Sequence, residues 1–270
     1  MFSVIVLKIG GARGIVPSAL AEDVALHVHR GQQLVLCHGG SAETTELAHA
    51  LGHPPKFLTS ASGHQSRYTD RETLEIFMMA VAGKINKTVV EALQTAGVNA
   101  VGLSGLDGRR VEASRKKAIK AIVDGKTKVI RDDWSGKIER VNTSLLNLLV
   151  DQGYTPVISP VVSGRQGEAL NVDADRVAAA IAVSMRAERL VLLSNVSGLL
   201  QDVNEPESLI RSIPRHALYE YMQYARGRMK KKMLAAEEAL AGGVREVIIS
   251  DARSASPLSA ALERKGTVIG

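Results

Sequence analysis

Short, nearly continuous apolar runs return along the chain with helix-patterned stretches between them, and this alternation constrains the fold more than any other feature. The runs are VIVLKI, QLVLCH, NAVGL, TPVISPV, RLVLLSN, REVIISD and a final TVI. Strands that are apolar on both sides need a sheet covered on both faces, which is the habit of parallel strands joined by helical crossovers. The pattern predicts helices at 18–30, 43–51, 71–96, 142–152, 173–186, 228–242 and 256–264, with Asp70 as N-cap of the long third one. The expected class is α/β, three αβα layers around an open, mostly parallel sheet.

The rhythm breaks between about 105 and 140, where glycines, basic residues and the β-like runs VIRDD and GKIERV take over. We read that stretch as a basic β-hairpin excursion from the N-terminal lobe. No repeat and no Pro/Ser-rich linker divides the chain, so two lobes are expected, 1–162 and 163–270.

Charge is unevenly placed. Lys and Arg outnumber Asp and Glu by 34 to 28, a net +6. Residues 109–131 alone hold nine basic side chains (Arg109, Arg110, Arg115, Lys116, Lys117, Lys120, Lys126, Lys128, Arg131) against Glu112 and Asp124, a local +7 that leaves −1 for the rest. A concentrated basic segment implies an anionic partner, which by charge alone is a nucleic acid, a membrane surface or an acidic protein. Aromatic residues make up only 3% of the chain, which argues against base stacking. The N-terminal apolar run is too short for a signal peptide or a membrane span, and the lone Cys37 has no disulfide partner, so a cytoplasmic protein is expected. Cys37 reads as a small buried hydrophobe.

The chemistry-bearing residues sit at strand ends. Strand one ends in Lys8-Ile9-Gly10-Gly11, where paired glycines let backbone N–H groups approach an anion and the lysine adds an ammonium, although a plain tight turn has the same sequence. Strand two ends in His38-Gly39-Gly40-Ser41 and leads into a helix, so free N–H groups and the helix dipole point to the same sheet edge. His38 reads as a strand-end residue and not a base. Arg67, in SRYTDRE, is either surface decoration or a bidentate clamp for a carboxylate. In Asn171-Val172-Asp173-Ala174-Asp175, Asn171 or Asp173 caps a helix and Asp175 falls in its first turn, where the dipole favours an acid in any case; the functional reading is that it holds two lysines in position. Gly227-Arg228-Met229-Lys230-Lys231-Lys232 opens a helix with cations, against the dipole, which reads either as a sign of an anion nearby or as a solvated charged face.

From LKIGG through HGGS, SRYTD, NVDAD and LLSNVSGLL to GRMKKK, the chain resembles the amino-acid kinase family along nearly its whole length. Within that family it is most similar to the N-acetylglutamate kinase branch. GHPPKFLT, SRYTDRETLEIF and GLSGLDGR are similar to those members that act on 2-aminoadipate held by an amino-group carrier protein in lysine biosynthesis. Three positions depart from the N-acetylglutamate kinase pattern: Ser41 for the third glycine of HGGG, Arg228 within GGM, and Asn195 where many relatives have Asp.

The resemblance implies an ATP- and Mg²⁺-dependent phosphotransferase with a carboxylate acceptor. Lys8 and Lys232 would hold the transferring phosphoryl group and Asp175 would orient both. Gly10 and Gly11 would contact the phosphates, and Ser194, Asn195 and Gly198 would lie on the nucleotide side. Gly39, Gly40, Ser41, Arg67 and Asn171 would hold the acidic acceptor. No protein metal ligand is expected, since Mg²⁺ commonly keeps its waters and leans on phosphates. The basic segment would dock a small acidic carrier protein, and no nucleic acid or membrane partner is expected. A homodimer or higher homo-oligomer is expected. The competing readings are a kinase of free N-acetylglutamate or of carrier-linked glutamate in arginine biosynthesis and, from outside enzymes, a nucleic-acid-binding module built on 109–131.

Overall fold

The computed structural model describes residues 3–11, 17–60, 65–123 and 126–270. In chain order the elements are β1 (Val4–Ile9), α1 (Pro17–His29), β2 (Gln33–His38), α2 (Ser41–Ala50), β3 (Phe57–Ser60), β4 (Gln65–Arg67) and α3 (Arg71–Met78). A π-helical segment, Met79–Ile85, carries α3 into α4 (Asn86–Thr95). There follow β5 (Ala100–Gly105), β6 (Val111–Arg115), β7 (Ile119–Val123), β8 (Lys126–Ile130), β9 (Gly136–Val141), α5 (Ser144–Asp151), β10 (Thr155–Gly164), β11 (Ala169–Asn171) and α6 (Ala174–Ser184). The last part holds β12 (Arg189–Ser194), β13 (Ser212–Ile213), α7 (Leu218–Tyr221), α8 (Gly227–Ala241), β14 (Glu246–Asp251), α9 (Pro257–Leu262) and β15 (Thr267–Ile269).

The main sheet runs β13-β15-β14-β12-β1-β2-β10-β6-β9, with β5 and β11 also paired to β10. Its central ladders, β12 to β1, β1 to β2 and β2 to β10, are parallel. All seven strand runs of the sequence lie in this sheet, as the alternation requires. Period-two alternation divides each strand between two cores. Ile5, Leu7 and Ile9 pack with α1, α4 and α9, while Val6 faces the opposite layer of α5, α6 and α8. Lys8 is on that second side, which decides where its ammonium goes.

The expected helix 71–96 is continuous but widens into the π segment at its centre. That widening carries Asn86 to where its amide donates to the Val157 carbonyl at 2.9 Å and reaches His38 Nε2 at 3.2 Å. Val162, the expected lobe boundary, lies inside the ten residues of β10.

The 105–140 excursion has two parts. Strands β6 and β9 pair antiparallel and extend the main sheet, while β7 and β8 pair antiparallel and join β3 and β4 in a separate sheet of order β4-β3-β7-β8. Periodicity gave no sign of β3 and β4, because a strand of three or four residues is shorter than the window in which alternation can be read. Asp124, counted in the basic segment, lies outside the described residues.

Candidate active site

Three charged side chains from three elements meet at the carboxyl edge of the sheet. Asp175 Oδ1 is 2.7 Å from Lys8 Nζ, and Lys232 Nζ lies 3.1 and 3.0 Å from Asp175 Oδ1 and Oδ2. All three residues are buried, with 5–6% of their surface exposed. Local structure explains the convergence. Asp173, not Asn171, caps α6 by accepting from the Asp175 amide at 3.0 Å, which frees the Asp175 side chain to turn inward. Lys232 lies on the inner face of α8 with Met233, Ala235 and Ala236.

Burial penalises every one of these charges, and their mutual attraction decides what survives. For Lys8, burial pulls downward, but Asp175 outweighs it and the ammonium ends above its ordinary value. Lys232 is brought down to about 8 by burial and by the charge of Lys8. Burial pushes the Asp175 carboxyl up, yet the two lysines overcome it and hold the group well below the carboxylate range. Two ammoniums contact this one carboxylate, which leaves a surplus of one positive charge in the trio, an arrangement that favours an anion beside it.

The two glycine turns touch. A Cβ on Gly11 would stand 2.3 Å from the Gly40 nitrogen, and one on Gly40 would stand 2.5 Å from Val81 Cγ1, so neither position accepts a side chain. Gly10 and Gly11 therefore lie directly against the His38-Gly39-Gly40-Ser41 turn, and the two strand ends form a single crevice. The Gly39 amide is already committed to the Ile9 carbonyl at 3.0 Å. His38, buried and brought down to about 4 by that burial, is neutral, so Nε2 accepts from Asn86 while Nδ1 donates to the Gly39 carbonyl at 2.9 Å. It holds the turn and has no free nitrogen for a base. Burial pushes the Cys37 thiol up to about 12, in keeping with a buried hydrophobe.

Arg67 is more than surface decoration. Its Nη2 donates to the Ser41 carbonyl at 3.1 Å and to Thr45 Oγ1 at 2.8 Å, and its guanidinium covers Phe57 at 5.2 Å, while Nη1 is buried with no partner. Asn171 donates to Thr69 Oγ1 at 3.0 Å, and Thr69 donates in turn to the Arg67 carbonyl at 3.2 Å. This wall rests on a residue that sequence reasoning missed. Asp133 is buried and accepts from the Thr69 amide at 3.0 Å and the Ser135 amide at 2.8 Å, tying SRYTD to the end of the excursion. The Asp-Asp-Trp turn was its only mark in the sequence.

Ser194 is buried at the end of β12, beside β1, with Asn195 exposed just beyond it. Gly198 is buried against Thr267, whose hydroxyl accepts from the Leu199 amide at 2.8 Å. These residues share the sheet edge with Lys8 but lie on the β12 side of it, away from Arg67.

The basic segment is not uniformly on the surface. Arg110 is a correction: it is buried, 4% exposed, with Nε donating to the Asp107 carbonyl at 3.3 Å, because the chain enters β6 of the main sheet at the next residue. Arg115 stacks on Trp134 at 3.7 Å and donates to the Asp133 carbonyl. Lys116, Lys117, Lys120 and Lys128 are exposed. Register pairs Phe57 with Arg67, Thr59 with Ile122, and Lys120 with Val129, so these side chains share one face of the small sheet. Phe57, Ile122 and Val129 are 49, 45 and 48% exposed, so an apolar and basic face runs outward from Arg67. Among the described residues no helix is long and apolar enough to cross a membrane.

Residues 3–251 match the model of the amino acid kinase family. The chain is 53% identical to a LysW-aminoadipate kinase of Deinococcus radiodurans, over 99% of this chain and 91% of that one. It is 50% identical to a protein of the same name from Thermus thermophilus, over 98% and 99%. An acetylglutamate kinase of Methanocaldococcus jannaschii is 40% identical, over 91% and 82%. Among solved structures, smu.665 of Streptococcus mutans superposes with a TM-score of 0.79 at 23% identity, covering 98% of both chains, which is likeness of fold alone. The chain belongs to the amino acid kinase family.

Proposed function

We propose that the protein is an ATP-dependent kinase that phosphorylates the side-chain carboxylate of 2-aminoadipate attached to an amino-group carrier protein, giving an acyl phosphate in cytoplasmic lysine biosynthesis. The observation that carries this reading is the buried Lys8–Asp175–Lys232 group, with its surplus positive charge, set at the mouth of two touching glycine turns. Membership of a kinase family supports ATP as donor, and relatives at 50–53% identity carry the aminoadipate kinase name.

The acceptor is ionised without help, since a side-chain carboxylic acid has a reference pKa of about 4.3, so no general base is required. The residues' work is to align the carboxylate oxygen with the γ-phosphorus and to stabilise charge on the transferring group. In this reading Lys8 and Lys232 do the second, and Asp175 fixes their positions. Gly10 and Gly11 face the phosphates, and Ser194, Asn195 and Gly198 face the nucleotide, in the lobe 163–270. Arg67, with Nη1 free for a carboxylate, and the Gly39-Gly40-Ser41 turn hold the acceptor from the lobe 1–162, and Asn171 joins them from just past the lobe boundary. Asp175 is engaged by two lysines and is not free to ligate a cation, so Mg²⁺ would come with the triphosphate, screening its charge through phosphate oxygens and water.

Hydroxylamine trapping tests the reading. With ATP, carrier-linked aminoadipate should give the hydroxamate much faster than carrier-linked glutamate or free N-acetylglutamate. Preference for free N-acetylglutamate would replace this function with that of an acetylglutamate kinase.

A further inference from the structure

Arg67 and Asn171 each end a strand of only three residues, β4 and β11, and the two strands belong to different sheets. β4 is at the edge of the small sheet beside β3, whereas β11 is attached to β10 of the main sheet. No ladder of backbone hydrogen bonds therefore sets the distance between these two side chains.

Thr69 spans that gap. Its hydroxyl accepts from Asn171 Nδ2 at 3.0 Å and donates to the Arg67 carbonyl at 3.2 Å, using its proton for one residue and a lone pair for the other. The Thr69 backbone is fixed from a third segment. Its amide donates to Asp133 Oδ2 at 3.0 Å, and its carbonyl accepts from the Trp134 amide at 2.7 Å. Asp133 Oδ1 accepts from the Ser135 amide at 2.8 Å, and the Trp134 carbonyl accepts from the Asn171 amide at 2.9 Å. Every polar group of Thr69 is thus engaged. Thr69 is 0% and Asp133 1% exposed, so neither side chain can reach a bound acceptor. What the hydroxyl adds over a methyl group of similar size is the direction of two hydrogen bonds, one to each side of the gap.

We propose that Thr69, held in turn by Asp133, is a positioning residue that sets the spacing of Arg67 and Asn171 and, through them, the affinity for the acceptor. This inference rests on the proposed function, in which Arg67 and Asn171 hold that acceptor. A pair of groups displaced by about 1 Å grips a small ligand poorly even when both are present. The nucleotide side, at Ser194, Asn195 and Gly198, has no part in this network.

Steady-state kinetics with ATP and with carrier-linked aminoadipate, each varied in turn, test the inference on the full-length protein in wild type, Thr69→Val and Thr69→Ser. Thr69→Val should raise KM for the acceptor about tenfold and move KM for ATP less than about twofold. Thr69→Ser keeps the hydroxyl and should recover most of the loss. In an Arg67→Ala background, adding Thr69→Val should cost less than about threefold, since one of the two residues it places is gone. Asp133→Asn keeps the side chain's shape but turns a donor toward one of the two amides, and it should show the same split between acceptor and ATP. That variant decides the matter if Thr69→Val does not fold. An acceptor KM unchanged in Thr69→Val overturns the inference, as does equal weakening toward acceptor and ATP, or a full tenfold cost in the absence of Arg67. Thr69→Ser behaving like Thr69→Val also overturns it, by assigning the effect to lost packing. Wild-type turnover of carrier-linked aminoadipate is read first. Its absence removes the proposed function and this inference with it, whereas normal wild-type turnover with any of the overturning results removes this inference alone.

Discussion

Lys8 and Lys232 share one carboxylate: Asp175 takes Lys8 at 2.7 Å from β1 and Lys232 at 3.0 Å from α8. In the proposed function each lysine contributes a charge whose partner develops only in the transition state, so a neutral side chain should not replace either. Lys8→Ala and Lys232→Ala should each lower kcat at least about 100-fold, with a smaller change in KM for the acceptor. Single-turnover assays measure it, and near-normal turnover in either variant would take that lysine out of the mechanism.

Asp175→Asn should cost stability as well as rate. The helix cap belongs to Asp173, so capping survives the change, but two buried ammoniums lose the carboxylate that both of them contact. Breaking a buried ion pair from one side costs about 3–5 kcal/mol. Denaturant unfolding should show that loss, and added ATP should recover part of it by supplying the anion. Unfolding free energy equal to that of wild type would mean the lysines are not charged together in the folded protein.

The lowered Lys232 gives a pH signature. With this group near 8 in the free enzyme, kcat/KM should fall as pH rises through about 8, as the ammonium is lost. Lys232→Arg, if active, should lack that limb, because a guanidinium stays charged. The stability sign is opposite. Between about 8 and the ordinary 10.5 the unfolded chain keeps a proton that folded Lys232 has given up, so this group's contribution rises with pH across that window. Asp175, depressed in the folded state, contributes stability above its ordinary 3.8 that is lost as pH falls below it. An alkaline limb unchanged in Lys232→Arg would assign it to another group.

What was legible in the sequence follows from how local each signal is. The strands of the main sheet and its helices were readable because alternation and helical spacing are written over six or more consecutive residues. The glycine turns and Asp175 were readable because each sits at a strand end or helix start, where few residue types fit. Arg67 stayed undecided because its half-buried placement depends on Ser41 and Thr45, distant in the chain, which no periodicity encodes. Asp133 was missed for the same reason: its partners are the amides of Thr69 and Ser135. Arg110 was placed on the surface because net charge counts residues without regard to burial.

Arg67→Ala should act mainly on the acceptor. Its Nη1 is buried without a partner, and if that nitrogen takes the acceptor carboxylate as proposed, its removal should raise acceptor KM by the equivalent of about 2–4 kcal/mol while leaving KM for ATP nearly constant. Steady-state kinetics with each substrate varied in turn decide this. A change confined to ATP would move Arg67 out of the acceptor site.

The small sheet offers a test of how the carrier arrives. If an acidic carrier docks on the basic excursion, the face that continues from Arg67 should matter more than the face behind it. Lys120 shares the outer face with Ile122, Val129 and Phe57, whereas Lys128 is paired with buried Ala121 on the reverse side. Lys116 is left intact in the test, because its charge lies among those of Asp133, Asp173 and Lys231 and a change there would reach the active site. Lys117→Glu combined with Lys120→Glu should lower kcat/KM for the carrier-linked acceptor about tenfold or more at low salt, mostly through association, and Lys128→Glu should do less. Ile122→Ser with Val129→Ser should raise carrier dissociation and respond little to salt, since apolar contact is not screened. Raising salt to about 0.5 M, where the Debye length is roughly 4 Å, should weaken wild type and narrow its difference from the charge variants. Turnover of free N-acetyl-2-aminoadipate should fall far less than that of the carrier-linked acceptor in each variant, because a small anion held at Arg67 does not span the sheet. Equal losses on free and carrier-linked acceptors would show that the excursion supports the site's architecture, and docking on this face would have to be given up.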